Sequence, residues 1–155
     1  MQDHVRRSFV KSALAGAAVA AVGSALSRSA LAENIQDVKF AKDPTKLQAG
    51  AEAAHTPLLA LEKLESTGVA FGKTPPGEFY KVTVQARHEA TRDHQIFGIA
   101  LYLNGELVAE HTMNQAQAEA SLPTVAFVQR LKSGDALLAV TSCNLHGKWG
   151  NRLMV

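Results

Sequence analysis

The sequence predicts an all-β fold, an immunoglobulin-like antiparallel β-sandwich of about seven strands. Three observations lead there. Tyr80, Val82, Val84 and Ala86 alternate with Lys81, Thr83 and Gln85, the pattern of a half-buried strand. Asn104-Gly105 follows an apolar run, which is the strongest short-range hairpin signal. Turn-forming groups recur at close intervals, at Glu65-Ser66-Thr67-Gly68, Thr74-Pro75-Pro76-Gly77 and Ser133-Gly134-Asp135.

The elements follow in chain order. Val38-Lys39-Phe40 reads as a short strand, Asp43-Pro44-Thr45 as a turn, and Leu47 to Ala54 as a loop or a single helical turn. His55 is read as opening a strand that continues through the apolar run Leu58 to Leu64. After the Tyr80–Ala86 strand, Ile96 to Leu103 is apolar on both faces and suits a central position. Glu106 to Ala109 returns from the Asn104-Gly105 turn. Met113 to Ala120, rich in Gln and Ala, reads as a short helix or an edge excursion. Thr124 to Leu131 and Ala136 to Thr141 are strands, and Asn151 to Val155 closes the chain. There is no internal repeat and no glycine-rich phosphate loop.

Residues 1–32 read as an export signal, and residues 33–155 as the folded domain. Arg6-Arg7-Ser8-Phe9-Val10-Lys11 carries a twin-arginine pair. A weakly apolar Ala-rich stretch runs from Ser12 to Leu26, and Ala30-Leu31-Ala32 forms a small-x-small cleavage site. The apolar run is shorter than the roughly 20 residues that span a bilayer. The expectation is therefore twin-arginine export to a bacterial periplasm, with retention of the segment as a membrane anchor as the alternative. The segment also explains the charge. It holds Arg6, Arg7, Lys11 and Arg28 against Asp3, so residues 33–155 carry 12 basic and 13 acidic side chains, a net charge of −1 rather than +2. Nucleic-acid binding has no support from such a surface.

Cys143 is the one cysteine of the chain. It cannot form an intrachain disulfide, and a free thiol in an oxidising compartment is a liability that metal ligation removes. Residues 33–155 hold five histidines, His55, His88, His94, His111 and His146. Cys143 and His146 stand at C-x-x-H spacing just beyond a strand, where a tight loop can aim both at one ion. His88 and His94 flank a five-residue connection between two well-marked strands, and alternate loops of a sandwich gather at one end. Four imidazoles and one thiolate are too many for structural zinc, which prefers four ligands in a tetrahedron. Four imidazoles with an axial thiolate leave a sixth position open, an iron arrangement in which the thiolate pushes electron density toward whatever binds opposite.

From about residue 52 to 155 the chain resembles the superoxide reductases, also called neelaredoxins and desulfoferrodoxins. The most specific match is Cys143-Asn144-Leu145-His146-Gly147-Lys148-Trp149, with the His88-x5-His94 pair and His55-Thr56-Pro57 beside it. The resemblance implies a mononuclear iron cycling between Fe2+ and Fe3+, with His55, His88, His94 and His146 as equatorial ligands and Cys143 as the axial one. It implies the one-iron form, since no four-cysteine module is present. It also implies one-electron reduction of superoxide, uptake of two protons, release of hydrogen peroxide, and re-reduction by an electron-donor protein whose identity the sequence does not give. Family members tend to be homo-oligomers, dimers or tetramers. His111 has no counterpart and reads as an exposed strand residue.

Two departures stand out. The Glu-Lys pair common before the first family histidine is Ala53-Ala54 here, and Glu89 replaces the proline after the first histidine of the pair. The candidate catalytic lysines are therefore Lys148, beside His146, and Lys73, on the long connection between His55 and His88. Arg87, Arg92 and Lys148 neighbour the candidate ligands and would steer an anion if they surround the site. Two rival readings remain: a non-catalytic iron-binding or redox-partner protein of the same fold, and an exported blue-copper electron carrier using Cys143, His146 and Met154.

Overall fold

Pro57 separates the first helix from the first long strand. A computed structural model describes residue 35 and residues 37–47, 50–65 and 75–155. Residues 1–32, Lys73 and most of the Glu65–Gly68 turn lie outside the described residues. Helix α1 (Ala51–His55) is one turn, entered from Gly50 at φ 113°. A residue before proline is pushed out of the helical region, and Thr56 is extended, at φ −65° and ψ 120°. The helix therefore ends at His55, and strand β2 (Leu58–Lys63) starts only beyond the proline. His55 closes a helix and does not open the strand, contrary to the sequence reading.

Among the described residues there are eight strands, against the seven or so expected. The others are β1 (Val38–Phe40), β3 (Glu78–Gln85), β4 (Ile96–Leu103), β5 (Glu106–Thr112), β6 (Thr124–Leu131), β7 (Ala136–Cys143) and β8 (Gly147–Met154). They form a five-stranded sheet in the order β1-β8-β7-β4-β5 and a three-stranded sheet in the order β2-β3-β6. Pairing is antiparallel except between β1 and β8, which run parallel. Val82 and Val84 of β3, Ile99 and Leu101 of β4, and Leu137 and Ala139 of β7 are buried in one apolar cluster. Their i, i+2 spacing is the alternation that the sequence displays. Helix α2 (Gln115–Ala120) follows β5; Asn114 caps it in a reciprocal capping box with Gln117.

The Asn104-Gly105 turn joins β4 to β5 with φ values of 52° and 86°. Positive φ at both central residues is what a type I′ hairpin needs. Asn104 also accepts from Ala136 N at 2.9 Å and donates to Asp135 Oδ1 at 3.0 Å, which ties this hairpin to the start of β7.

Strands β7 and β8 are longer than the sequence suggested. They pair without interruption from Ala136↔Met154 to Cys143↔Gly147, so Asn144–His146 is the tip of a hairpin. Gly150 lies inside β8. A glycine within a strand marks a close approach, and here it admits a neighbour. A Cβ on Gly150 would lie 2.6 Å from Val38 Cγ1 and 2.9 Å from Phe40 Cε1.

The topology brings three segments to one end of the sandwich. These are helix α1, leading into β2; the connection 86–95, which passes from β3 in one sheet to β4 in the other; and the β7–β8 tip. No helix among the described residues is long and apolar enough to cross a membrane.

Candidate metal centre

Each of the three segments delivers donor atoms to the same place. His55 Nδ1 lies 2.6 Å from Ala51 O, one helical turn back. A carbonyl only accepts, so Nδ1 carries the proton and Nε2 presents its lone pair. The His55 carbonyl accepts from the buried Thr141 hydroxyl at 2.5 Å, and the Trp149 ring stacks on the imidazole at 5.9 Å between centroids. His88 Nε2 lies 3.0 Å from His94 Nε2. The backbone of His94 is closed on Thr91 by a pair of hydrogen bonds of 2.8 and 3.2 Å. At the hairpin tip, His146 Nδ1 lies 2.9 Å from His94 Nε2, 3.1 Å from His55 Nε2 and 3.8 Å from Cys143 Sγ. The donor atoms of His55, His88, His94 and Cys143 all lie within 4.8 Å of one another.

The donor set fits a metal ion. Ligand nitrogens about 2.1 Å from a common ion and at right angles to one another stand about 3.0 Å apart, close to the separations seen. Without a cation these contacts are unfavourable, because lone pairs face one another and too few protons are available to bridge them. On the outer side of the cluster, His88 Nδ1 is buried without a hydrogen-bond partner.

Burial favours the neutral form of His55 and His88, the form that binds a metal. Loss of hydration, reinforced by His55, His94 and His146, pushes His88 down to about 4. Burial lowers His55 as well, partly opposed by its bond to Ala51 and reinforced by His146, His94 and Lys39. Unfolded histidines take up protons near pH 6.5, so below that pH the unfolded chain binds more protons than the folded one. The metal-free protein should be at full stability above about pH 6.5 and lose it progressively as the pH falls toward 4. Thermal melts of metal-free protein across that range check this, and a Tm that does not move would contradict it.

Asn144 joins two of the ligand-bearing segments. Its Oδ1 accepts from Gln95 N at 2.9 Å, its Nδ2 donates to Asp93 O at 2.9 Å, and its own N–H donates to Gln95 O at 3.2 Å. The residues on either side of His94 are thereby pinned to the residue after Cys143. Partners that orient metal ligands typically contribute about 10–100-fold in affinity. Asn144→Ala should weaken metal binding by that order, read by competition with a chelator; affinity unchanged within about twofold would count against this role.

The remaining sequence candidates are placed differently. Arg87 and Arg92 are exposed on the histidine-bearing connection. Lys148 is half-buried on β8, and strand alternation puts it on the face opposite Trp149. Lys73 is not among the described residues. Glu52 Oε1 accepts from Lys42 N at 2.9 Å, which commits that carboxylate to the N-terminal segment. His111 is half-buried on β5 rather than exposed. Met154 is 66% exposed and eight residues along β8 from His146, or about 26 Å at strand rise. It therefore cannot complete a Cys-His-Met copper site. Sequence reasoning missed the contributions of Asn144, Thr141, Trp149 and Lys39. Asn144 and Trp149 lie within the Cys143–Trp149 motif, but nothing in a linear motif says that an amide reaches the neighbouring loop.

Residues 48–152 match the Desulfoferrodoxin family model. The chain belongs to the desulfoferrodoxin family. Among solved structures it is similar to a superoxide reductase (neelaredoxin) from Ignicoccus hospitalis, at 26% identity and a TM-score of 0.53, covering 77% of this chain and 93% of that one. A hypothetical protein from Pyrococcus horikoshii OT3 is also 26% identical, with a TM-score of 0.50 over 70% of this chain and 95% of that one. A superoxide reductase from Nanoarchaeum equitans, 22% identical with a TM-score of 0.50, covers 71% of this chain and 100% of its own and shares the fold. No curated protein matches the chain. Membership of the desulfoferrodoxin family and the His/Cys set together assign the cluster one iron ion and the protein an iron-based redox function.

Proposed function

We propose that the protein is a superoxide reductase that converts superoxide to hydrogen peroxide at a mononuclear iron held by His55, His88, His94, His146 and Cys143. The observation that carries this is the meeting of four imidazole nitrogens and one buried thiol from three segments at one end of the sandwich. The similarity to superoxide reductases supports it. Iron, when bound, supplies the single electron that superoxide takes up with two protons to give hydrogen peroxide.

The chain's own residues set the conditions. His55 and His88, kept neutral by burial, offer lone pairs without adding charge. Cys143, 4% exposed, is shielded from the oxidation that threatens an accessible thiol. Arg87 and Arg92 lie within two residues of His88 and His94 and raise the local concentration of a small anion. With Ala53-Ala54 in place of Glu-Lys and Glu52 engaged elsewhere, helix α1 offers the site neither a free carboxylate nor an ammonium. Proton delivery therefore falls to water or to side chains from other segments, with Lys148 and Lys73 as the candidates read from the sequence.

Export through the twin-arginine route, cleavage after residue 32 and a periplasmic location complete this reading, with an electron-donor protein restoring the iron and a dimer or tetramer as the assembly. The test is rapid mixing of iron-loaded, pre-reduced protein with superoxide. The reading requires one hydrogen peroxide per superoxide consumed and no dioxygen. Dismutation would yield half as much peroxide, and iron binding without superoxide consumption would make the protein a non-catalytic member of the family. One copper per purified chain would sink the iron assignment.

A further inference from the structure

Lys39 reaches the metal centre from a strand that lies outside residues 48–152, the segment that matches the family. Its Nζ donates to His146 O at 3.0 Å and stands 5.6 Å from the centroid of the Trp149 ring. Trp149 in turn stacks on His55. One ammonium thus touches the supports of two of the five donor residues. The placement follows from pairing, because β1 runs parallel to β8 with Lys39 opposite Trp149. Val38 and Phe40 point the other way, onto Gly150, and the Arg152 guanidinium lies 4.5 Å from the Phe40 ring centroid. These contacts on the opposite face hold the short strand in register and leave Lys39 directed at the site.

The charge is uncompensated. The ion pairs among the described residues join Lys46 to Asp43, Lys63 to Glu78 and Lys81 to Glu62, and none involves Lys39. A positive charge beside the donor cluster favours a small anion bound there and favours the lower oxidation state of a metal held there, since both bring negative charge toward it or remove positive charge from it. Lys39 is solvent-exposed, so water screens the effect to a few-fold.

We propose that Lys39 is a positioning residue of the metal centre: β1 supplies it to fix the ligand-bearing hairpin tip at His146 and to hold a positive charge beside the cluster. This rests on the iron assignment but not on the identity of the substrate. The experiment compares the iron-loaded full chain with its Lys39→Met and Lys39→Arg variants. Lys39→Met keeps the length of the side chain and removes its charge; Lys39→Arg keeps the charge. Azide titration of the oxidised protein should show an affinity about threefold weaker in Lys39→Met, with the difference shrinking as salt is raised. The midpoint potential should fall in the same variant, by about 30 mV if the shift in the redox equilibrium is also threefold. Lys39→Arg should stay close to wild type in both. A Lys39→Met protein that matches wild type in azide affinity and potential would overturn the proposal. So would a Lys39→Arg protein as impaired as Lys39→Met, because charge would then not be the cause. If the Lys39 effects appear in a protein that does not consume superoxide, the functional reading fails and the assignment of Lys39 stands.

Discussion

Serine at position 143 should leave the sandwich folded and abolish the superoxide reduction proposed above. The Cys143 side chain is buried against the core, and its sulfur lies 3.8 Å from both His146 Nδ1 and Asn144 Oδ1. Serine is nearly isosteric, so little packing is lost, but a hydroxyl stays protonated where a thiol bound to a metal gives up its proton. The site then loses its one anionic donor and, with it, the electron density that a thiolate pushes onto iron. The rate of superoxide consumption by iron-loaded Cys143→Ser should fall by more than the about 10–100-fold that accompanies loss of a residue orienting a metal ligand. The thiolate-to-iron absorption of the oxidised protein should vanish as well. Rapid mixing and a visible spectrum check both, and a variant that retains a rate within tenfold of wild type would show the sulfur to be dispensable.

Removing the metal should lower thermal stability sharply. The five proposed donors come from three segments, and those segments belong to both sheets, so an ion held by them joins parts of the chain that are far apart in sequence. A ligand present at about 100 to 1,000 times its dissociation constant stabilises the folded state by about 2.7 to 4.1 kcal/mol. For a domain of this size that corresponds to a Tm difference on the order of 10 °C or more. Calorimetry of iron-loaded and chelator-stripped protein at pH 7.5 measures it directly. That pH lies above the range over which His55 and His88, both lowered by burial, take up protons, so the difference reports the ion and not their protonation. A difference of only a few degrees would mean that the three segments hold one another without the ion.

Much of this was legible in the sequence, for identifiable reasons. Period-two alternation at Tyr80–Ala86 and the Asn104-Gly105 turn are local signals, and both correspond to what the fold contains. The Cys143-x-x-His146 loop and the His88/His94 pair were visible as spacings, and the resemblance to the superoxide reductases implied the full set of five by adding His55 and setting His111 aside. The failures share a different cause. The strand assignment of His55 ignored the way Pro57 constrains Thr56. The last strand was begun too late, at Asn151, because what packs on Gly150, the side chains of β1, comes from more than a hundred residues earlier. Lys39 was passed over because the parallel pairing of β1 with β8 leaves no periodic trace in either segment. Lysines were instead sought beside His146, at Lys148, and on the long connection after His55, at Lys73.

The β7–β8 hairpin stays in register up to Cys143↔Gly147, and the next three residues make the turn. A slip of one residue in a strand turns each of its side chains to the other face of the sheet. Such a slip would carry Cys143 out of the interior and His146 away from His94, while leaving an apolar strand that could still find partners. A chain mispaired in this way could look well folded by secondary-structure content, yet it would have no place to hold iron. Metal content therefore inspects the folding product: each iron retained certifies that the last hairpin closed on the right residue, and a colourless fraction in a preparation marks chains that went astray.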